Sequence, residues 1–325
     1  MLPSNTLPSV SSPVNATVSQ ALDSQCRWGE VHVAFDELNQ MWSSCVDIHE
    51  RFVSAIWGRN NGSIQQGKQQ SLDTGISISP TAVSGVLNVM YYSRSRDLVV
   101  GCITQLHHQV MEIRQRMRPT HFVSVRMVND KVKERFKRFI DFVLSDTRID
   151  ESCKDESLFQ IPSKLHVSVV VLLLLDESEE VKAAQILNDV MEKEVRQILN
   201  HSELRLEIRG VRGMGDNPAK ERIIYAAVTD SRLQAAANVI ASAMLKMGLS
   251  LRFQHEPVKI HVTLMSTRFC YEKGKAVSDM NVTSLLKIFR DFYFGSVTVN
   301  EIQLCRRGTP PDSSGYYESI ATMSF

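Results

Sequence analysis

Two short phrases hold the residues of this 325-residue chain best suited to chemistry. The first is Lys164-Leu165-His166-Val167-Ser168-Val169. The second, about 95 residues later, is Lys259-Ile260-His261-Val262-Thr263-Leu264. Both read basic, aliphatic, His, Val, hydroxyl, aliphatic. Of the nine histidines, these are the two with a Ser or Thr two positions on. A lone His-x-Ser/Thr match carries little information, and a single histidine on a strand is commonly a satisfied structural residue. Six matching positions in two similar settings read instead as a repeat with a shared task.

The task that fits is phosphodiester chemistry without a metal. One neutral imidazole takes the proton of an attacking hydroxyl or water, and a second, protonated, gives one to the leaving oxygen. An unperturbed pKa near neutrality suits both roles. Two hydroxyls and the protonated imidazole then hold the non-bridging oxygens as charge gathers on them. His166, Ser168, His261 and Thr263 are therefore the candidate catalytic residues, with no metal and no cofactor in the set. Which imidazole is base and which is acid stays open at this stage.

Positioning these groups falls to the surrounding elements. Both phrases lie in β-branched, apolar stretches, which predict buried strands. Residues two apart on a strand share a face, so His166 and Ser168 point one way, as do His261 and Thr263. Val167 and Val262 point the other way, into a core. Two such strands facing each other across a groove bring both imidazoles and both hydroxyls together.

From Thr120 onward the chain alternates strands and helices. His121–Met127 reads as a strand, Asp130–Leu144 as a helix with one apolar face, and Leu165–Leu175 as the first motif strand. A helix follows, with acidic residues at Asp176 to Glu180 where the dipole favours them, and runs to about Asn200. Strands are predicted at Leu204–Val211 and Arg222–Val228. The Gly-rich turn between them lacks the Lys-Ser/Thr end of a Walker loop and reads as a connection. Ser231–Met247 is a helix closed by Gly248, and Val258–Met265 is the second motif strand. Thr283–Phe292 reads as a helix, with closing strands at Val297–Cys305 and Tyr316–Ser324. Arg268 and Tyr317 are weaker candidates for contact with a phosphate or a base.

The segment before Thr120 differs in composition. Lys68 is its only lysine, whereas lysines are frequent from Lys131 on. This shift places a boundary near Arg118-Pro119, giving a disordered tail at 1–26, one domain at 27–118 and another at 119–325. The middle segment reads strand (Cys45–His49), helix (Phe52–Trp57), a tight turn Gly58-Arg59-Asn60-Asn61-Gly62, helix (Ser63–Leu72), two strands (Ile76–Ile78 and Val86–Tyr91) and a long helix (Asp97–Met117). Arg114, Arg116 and Arg118 are further candidates for phosphate contact.

Global composition adds bounds. Lys and Arg number 37 against 36 Asp and Glu, so no overall charge draws the chain to nucleic acid or membrane. The six cysteines are scattered without a C-x-x-C pair, which argues against a disulfide framework or a zinc site. The longest apolar run, Leu165 to Leu175, is too short to span a bilayer.

Residues 120–325 resemble the 2H phosphoesterase superfamily. Within it they are most similar to the branch that joins A-kinase anchoring protein 7 with a subunit of the activating signal cointegrator complex. Besides the two motifs, the resemblance rests on Thr120-His121-Phe122, Tyr225 and Phe292-Tyr293-Phe294-Gly295-Ser296. The order of elements at 27–118, βααββα, resembles a KH domain, a module that binds single-stranded nucleic acid. Its Gly58–Gly62 turn is one residue longer than the family's G-x-x-G and carries Arg59 alone as positive charge. A KH-like segment joined to this domain is the arrangement of the cointegrator subunit.

The resemblance implies an α+β chain: a KH-like domain, then a duplicated, two-lobed phosphoesterase domain with a central cleft. It implies metal-free cleavage or transfer at RNA phosphodiesters, with His166 and His261 as acid and base and Ser168 and Thr263 as phosphate-binding hydroxyls. Gly58, Arg59 and Gly62 become candidate nucleic-acid contacts. The implied partners are RNA or an oligonucleotide and the subunits of a nuclear complex for transcription coactivation and alkylation-damage repair, with the cytoplasm as a second location. The alternative from another class is a non-catalytic RNA-binding or scaffold subunit of that complex.

Overall fold

The computed structural model describes residues 31–57, 73–250 and 257–325. Its first part is an antiparallel sheet of β1 (Ala34–Asp36), β2 (Met41–His49), β3 (Thr74–Pro80) and β4 (Val86–Ser93), ordered β1-β2-β4-β3. Helices α1 (Glu50–Trp57) and α2 (Arg96–Arg116) cover one face. Strand alternation explains this: Val46, Ile48, Ile76, Ile78, Leu87 and Val89 share the side that meets Phe52, Trp57, Leu106 and Val110. The strand expected from Cys45 starts earlier, at Met41. The Gly58, Arg59 and Gly62 turn and the helix expected at Ser63–Leu72 lie outside the described residues.

The second part is an eight-stranded antiparallel sheet. Its strands are β5 (His121–Arg126), β6 (His166–Leu172), β7 (Leu204–Gly213), β8 (Ile223–Ala227), β9 (His261–Ser266), β10 (Tyr293–Val299), β11 (Glu301–Arg306) and β12 (Ser319–Ser324). They are ordered β10-β7-β8-β9-β6-β5-β11-β12. The helices are α3 (Asp130–Ser145), α4 (Glu177–Val190, continued by a π turn at Met191–Val195 and a last α turn at Arg196–Ile198), α5 (Ser231–Lys246), α6 (Thr267–Glu272) and α7 (Thr283–Ile288). The long ones begin on short polar caps. Asn129, Asp176 and Asp230 each accept a hydrogen bond from the first turn they precede.

The unit β5-α3-β6 recurs as β8-α5-β9: strand, helix, motif strand. Val167, Val169, Val262 and Leu264 face the core with Phe136, Phe139, Leu187 and Ile240. The alternate residues His166, Ser168, His261 and Thr263 stay half-buried on the other face. The two motif strands do not oppose each other across a groove. They are neighbours at the centre of one sheet, antiparallel and bridged at Val167–Val262. Two apolar strands, each needing partners on both edges, meet that need by pairing with one another. In that register His166 stands opposite Thr263 and Ser168 opposite His261.

The stretch expected as one strand at Val297–Cys305 is two strands. The apolar alternation shifts by one at Asn300: Val297 and Val299 are buried before it, Ile302 and Leu304 after it. β10 pairs with β7 at one edge of the sheet, while β11 pairs with β5 and β12 at the other. The helix expected to reach Phe292 ends at Ile288, and Tyr316 and Tyr317 precede the last strand. Among the described residues, no helix is long and apolar enough to cross a membrane.

The Gly-rich turn closes on one of the chain's own carboxylates. Glu221 is buried, accepting from the backbone N–H of Gly215 at 2.8 Å and of Arg222 at 2.9 Å. A Cβ on Gly213 would stand 2.4 Å from Glu221 Oε2. Gly213→Ala is therefore expected to destabilise the chain by about 1–3 kcal/mol, the usual result of overpacking a rigid site. A urea midpoint unchanged from wild type would contradict this.

Candidate functional site

The two histidines are held by the same local device. His166 Nδ1 lies 2.7 Å from the Lys164 carbonyl oxygen, and His261 Nδ1 lies 2.5 Å from that of Lys259. A carbonyl only accepts, so each Nδ1 carries the proton and each Nε2 keeps its lone pair. The Ser168 hydroxyl, two residues along the same face, donates to His166 Nε2 at 3.1 Å.

The lysine of each phrase has a second use. Lys164 Nζ sits 4.6 Å from the centre of the Tyr317 ring, and Lys259 Nζ 5.0 Å from that of Tyr225. Each tyrosine meets its own histidine edge to face, with centroids 5.4 Å apart in both cases. The repeated unit is thus a Lys, a His and a Tyr, and the Tyr comes from elsewhere in the chain. Tyr225 stands on β8 opposite Thr263, whereas Tyr317 arrives on the loop between β11 and β12.

The surroundings differ between the two sides. Phe122 packs 5.0 Å from the His166 ring, and Tyr316 lies beyond it, its hydroxyl 3.1 Å from Ser124 Oγ. Burial pushes the His166 imidazole down to about 4, helped by the charges of His261 and Arg307 and opposed by the Lys164 carbonyl. His261 is lowered as well, first by burial and then by the Lys259 ammonium. Burial also raises the Tyr317 phenol, which a hydrogen bond with Gln160 partly offsets.

The structure gathers His166, Ser168, His261 and Thr263 on one face at the sheet centre. Tyr317 is beside His166, as a wall of the site. Arg268 lies on α6, directly after the second motif strand, with Nε 3.1 Å from Glu272 Oε1. Arg114 is not available to a phosphate. It is buried, donating to the Leu173 carbonyl at 2.9 Å and paired with Glu179. His121 is also buried, 3.1 Å from Glu180 Oε1. Arg307 and Glu272 were not singled out by sequence reasoning. Their one signal was nearness in sequence to β11 and to Arg268.

Among the described residues, no three His, Cys, Asp or Glu side chains gather as a metal-binding group. Two imidazoles that each present Nε2 on one face, two hydroxyls and a nearby guanidinium can accept a proton, return one and hold a phosphate between.

Comparison with known proteins agrees in kind. Over 260 residues the chain is 28% identical to mouse activating signal cointegrator 1 complex subunit 1, covering 73% of this chain and 71% of that one. Among solved structures it is similar to E. coli LigT complexed with NADP+, at 14% identity and TM-score 0.41 over 64% of this chain and 98% of that chain. A Thermus thermophilus structure is similar at 16% identity and TM-score 0.40, over 63% and 97%. Neither overlay is close enough to bear on the site. The family model described as the AKAP7 2'5' RNA ligase-like domain matches residues 119–325, most of the chain, and the chain belongs to that family.

Proposed function

We propose that this chain is a metal-independent phosphodiesterase acting on an RNA end or an oligonucleotide, with His166 and His261 as its acid–base pair. The observation that carries this is the duplicated Nδ1–H to carbonyl bond, which leaves two Nε2 atoms on the same face of adjacent strands. His166 is the base. Its lone pair removes the proton of a water or a 2′-hydroxyl as that oxygen bonds to phosphorus. His261, protonated, gives its proton to the oxygen whose bond to phosphorus breaks. Ser168 and Thr263 hold the non-bridging oxygens through the transition state. Arg307 supports the assignment, because its charge disfavours protonation of His166. An incoming phosphodiester, being anionic, favours the protonated form of His261.

Residues 27–118 serve as a KH-like module that adds nucleic-acid contact through Gly58, Arg59 and Gly62. The whole acts within a nuclear coactivator and repair complex, a reading supported by likeness to the mouse cointegrator subunit.

The test is a panel of short RNAs and DNAs with 2′,5′ linkages, 3′,5′ linkages or 2′,3′-cyclic ends, incubated in EDTA with products read by mass. Cleavage by wild type and not by His166→Ala/His261→Ala supports the proposal. Silence across the panel with RNA still bound replaces it with a binding subunit.

The pH profile follows from the same geometry. The base works above its own pKa of about 4, and the acid works below a pKa that is itself lowered from 6.5. The kcat/KM optimum is expected on the acid side of 6.5, and an optimum above about 7.5 would show that the two lowered imidazoles do not set the profile.

A further inference from the structure

Two arginines from distant parts of the chain meet at one carboxylate beside the motif face. Arg268 stands on α6, and its Nε lies 3.1 Å from Glu272 Oε1. Arg307 opens the loop between β11 and β12, and its Nη2 lies 3.9 Å from that same oxygen. The inner guanidinium is therefore beyond hydrogen-bond length from its counter-ion. The cluster holds two positive charges against one negative.

Their exposures differ in a telling way. The Arg307 side chain is 27% exposed and Arg268 is 51% exposed. Arg307 is close enough to His166 and Tyr317 for its charge to act on both. A half-buried cation with one distant carboxylate is poorly compensated, and an anion at that spot would complete it. Its guanidinium fork suits a phosphate.

One helical turn from Arg268, on the same short helix, Tyr271 is 66% exposed. Its neighbour Cys270 is buried and anchors the helix, so the ring is turned out into water. From the motif face outward, the order is a half-buried guanidinium, a carboxylate, an exposed guanidinium and an exposed aromatic ring. A cationic track beside an exposed ring suits one nucleotide of a single strand, with the phosphate on the cations and the base on the ring.

We propose that Arg307, Arg268 and Tyr271 form a second subsite, which takes the phosphate and base of the nucleotide adjoining the scissile phosphodiester. The preferred ligand is then an oligonucleotide of three or more residues rather than a dinucleotide. This rests on the reading of the motif face as a phosphodiester site, and the experiment separates the two.

Binding is measured by fluorescence anisotropy on the full chain carrying His166→Ala/His261→Ala, so that ligand is not consumed. The probes are fluorescein-labelled uridine dinucleotide and tetranucleotide, across a salt series. The tetranucleotide is expected to bind about tenfold more tightly, in line with one stacked base and one phosphate contact. Adding Tyr271→Ala is expected to bring that ratio below about threefold. Adding Arg268→Gln or Arg307→Met is expected to lower the slope of log K against log salt by about 0.7 each. The first two variants alter exposed side chains, so they report even if Arg307→Met fails to fold.

Equal binding of the two probes, a ratio unmoved by Tyr271→Ala and Arg268→Gln, or no binding of either probe would overturn the subsite. Length-dependent binding in a protein whose wild type cleaves nothing in the panel would instead overturn the phosphodiesterase reading and leave the subsite standing.

Discussion

His166→Ala and His261→Ala are each expected to cut kcat/KM on a cleaved oligonucleotide by about a hundredfold to ten-thousandfold. Each substitution removes one of the two proton transfers and leaves the other, together with the hydroxyls. The double variant is expected to lose little more than the worse single variant, because groups that act in one step do not contribute independently. Ser168→Ala and Thr263→Ala remove a hydrogen-bond donor to the phosphate and are expected to cost up to about a hundredfold to a thousandfold. His201→Asn, an exposed turn position, is the control and is expected to leave the rate within about twofold. Single-turnover kinetics on the same substrate settle the matter. A rate for either alanine variant within about threefold of wild type would remove that histidine from the reaction.

The second large effect is structural. Arg114 lies near the end of α2 and reaches from the first part of the chain into the second. It donates to the Leu173 carbonyl just past β6, pairs with Glu179 in the first turn of α4 and sits 5.0 Å from the Phe52 ring centre. Glu179 in turn accepts from the Leu175 N–H at 2.9 Å. Arg114→Ala strands a largely buried carboxylate and a buried carbonyl, and is expected to destabilise the chain by about 3–5 kcal/mol. Arg114→Lys is expected to recover only part, since an ammonium cannot reproduce the planar fork or its stacking. Urea unfolding measures the loss, and limited proteolysis reports whether the two parts separate first. A change below about 1 kcal/mol would show the pair to be incidental.

The legible part of this molecule was the part encoded locally. The motif pair could be read because what sets each imidazole's tautomer and direction lies within six residues: the carbonyl two positions back, the hydroxyl two positions on and the core-facing valine between. The helices were legible from their caps and apolar faces, and Asp130 and Ser231 begin helices as expected. What escaped depends on pairing between distant segments. Nothing in either phrase shows that β6 and β9 are neighbours, because strand pairing across 95 residues leaves no local trace. Arg307 stood in an irregular loop without periodicity, so its place near His166 became visible only with the chain folded. Tyr317 read more readily as an ordinary closing-strand aromatic, whereas it precedes β12 and forms a wall of the site. The split at Asn300 did leave a trace, the one-residue shift in apolar alternation, which a single-strand reading passed over.

Each histidine's proton is fixed by a backbone oxygen rather than by a buried acid. Many hydrolytic sites orient an imidazole with an aspartate that the fold must desolvate and neutralise. Here no ionised group is needed behind the ring, so the orienting partner survives any change of side chain at position 164 or 259. The same arrangement forgoes the extra basicity that a carboxylate would lend. A proton-handling unit of this kind is self-contained and can be copied whole with its strand. That accounts for two copies in one sheet, each bringing its own tautomer-setting carbonyl and drawing a tyrosine from its surroundings.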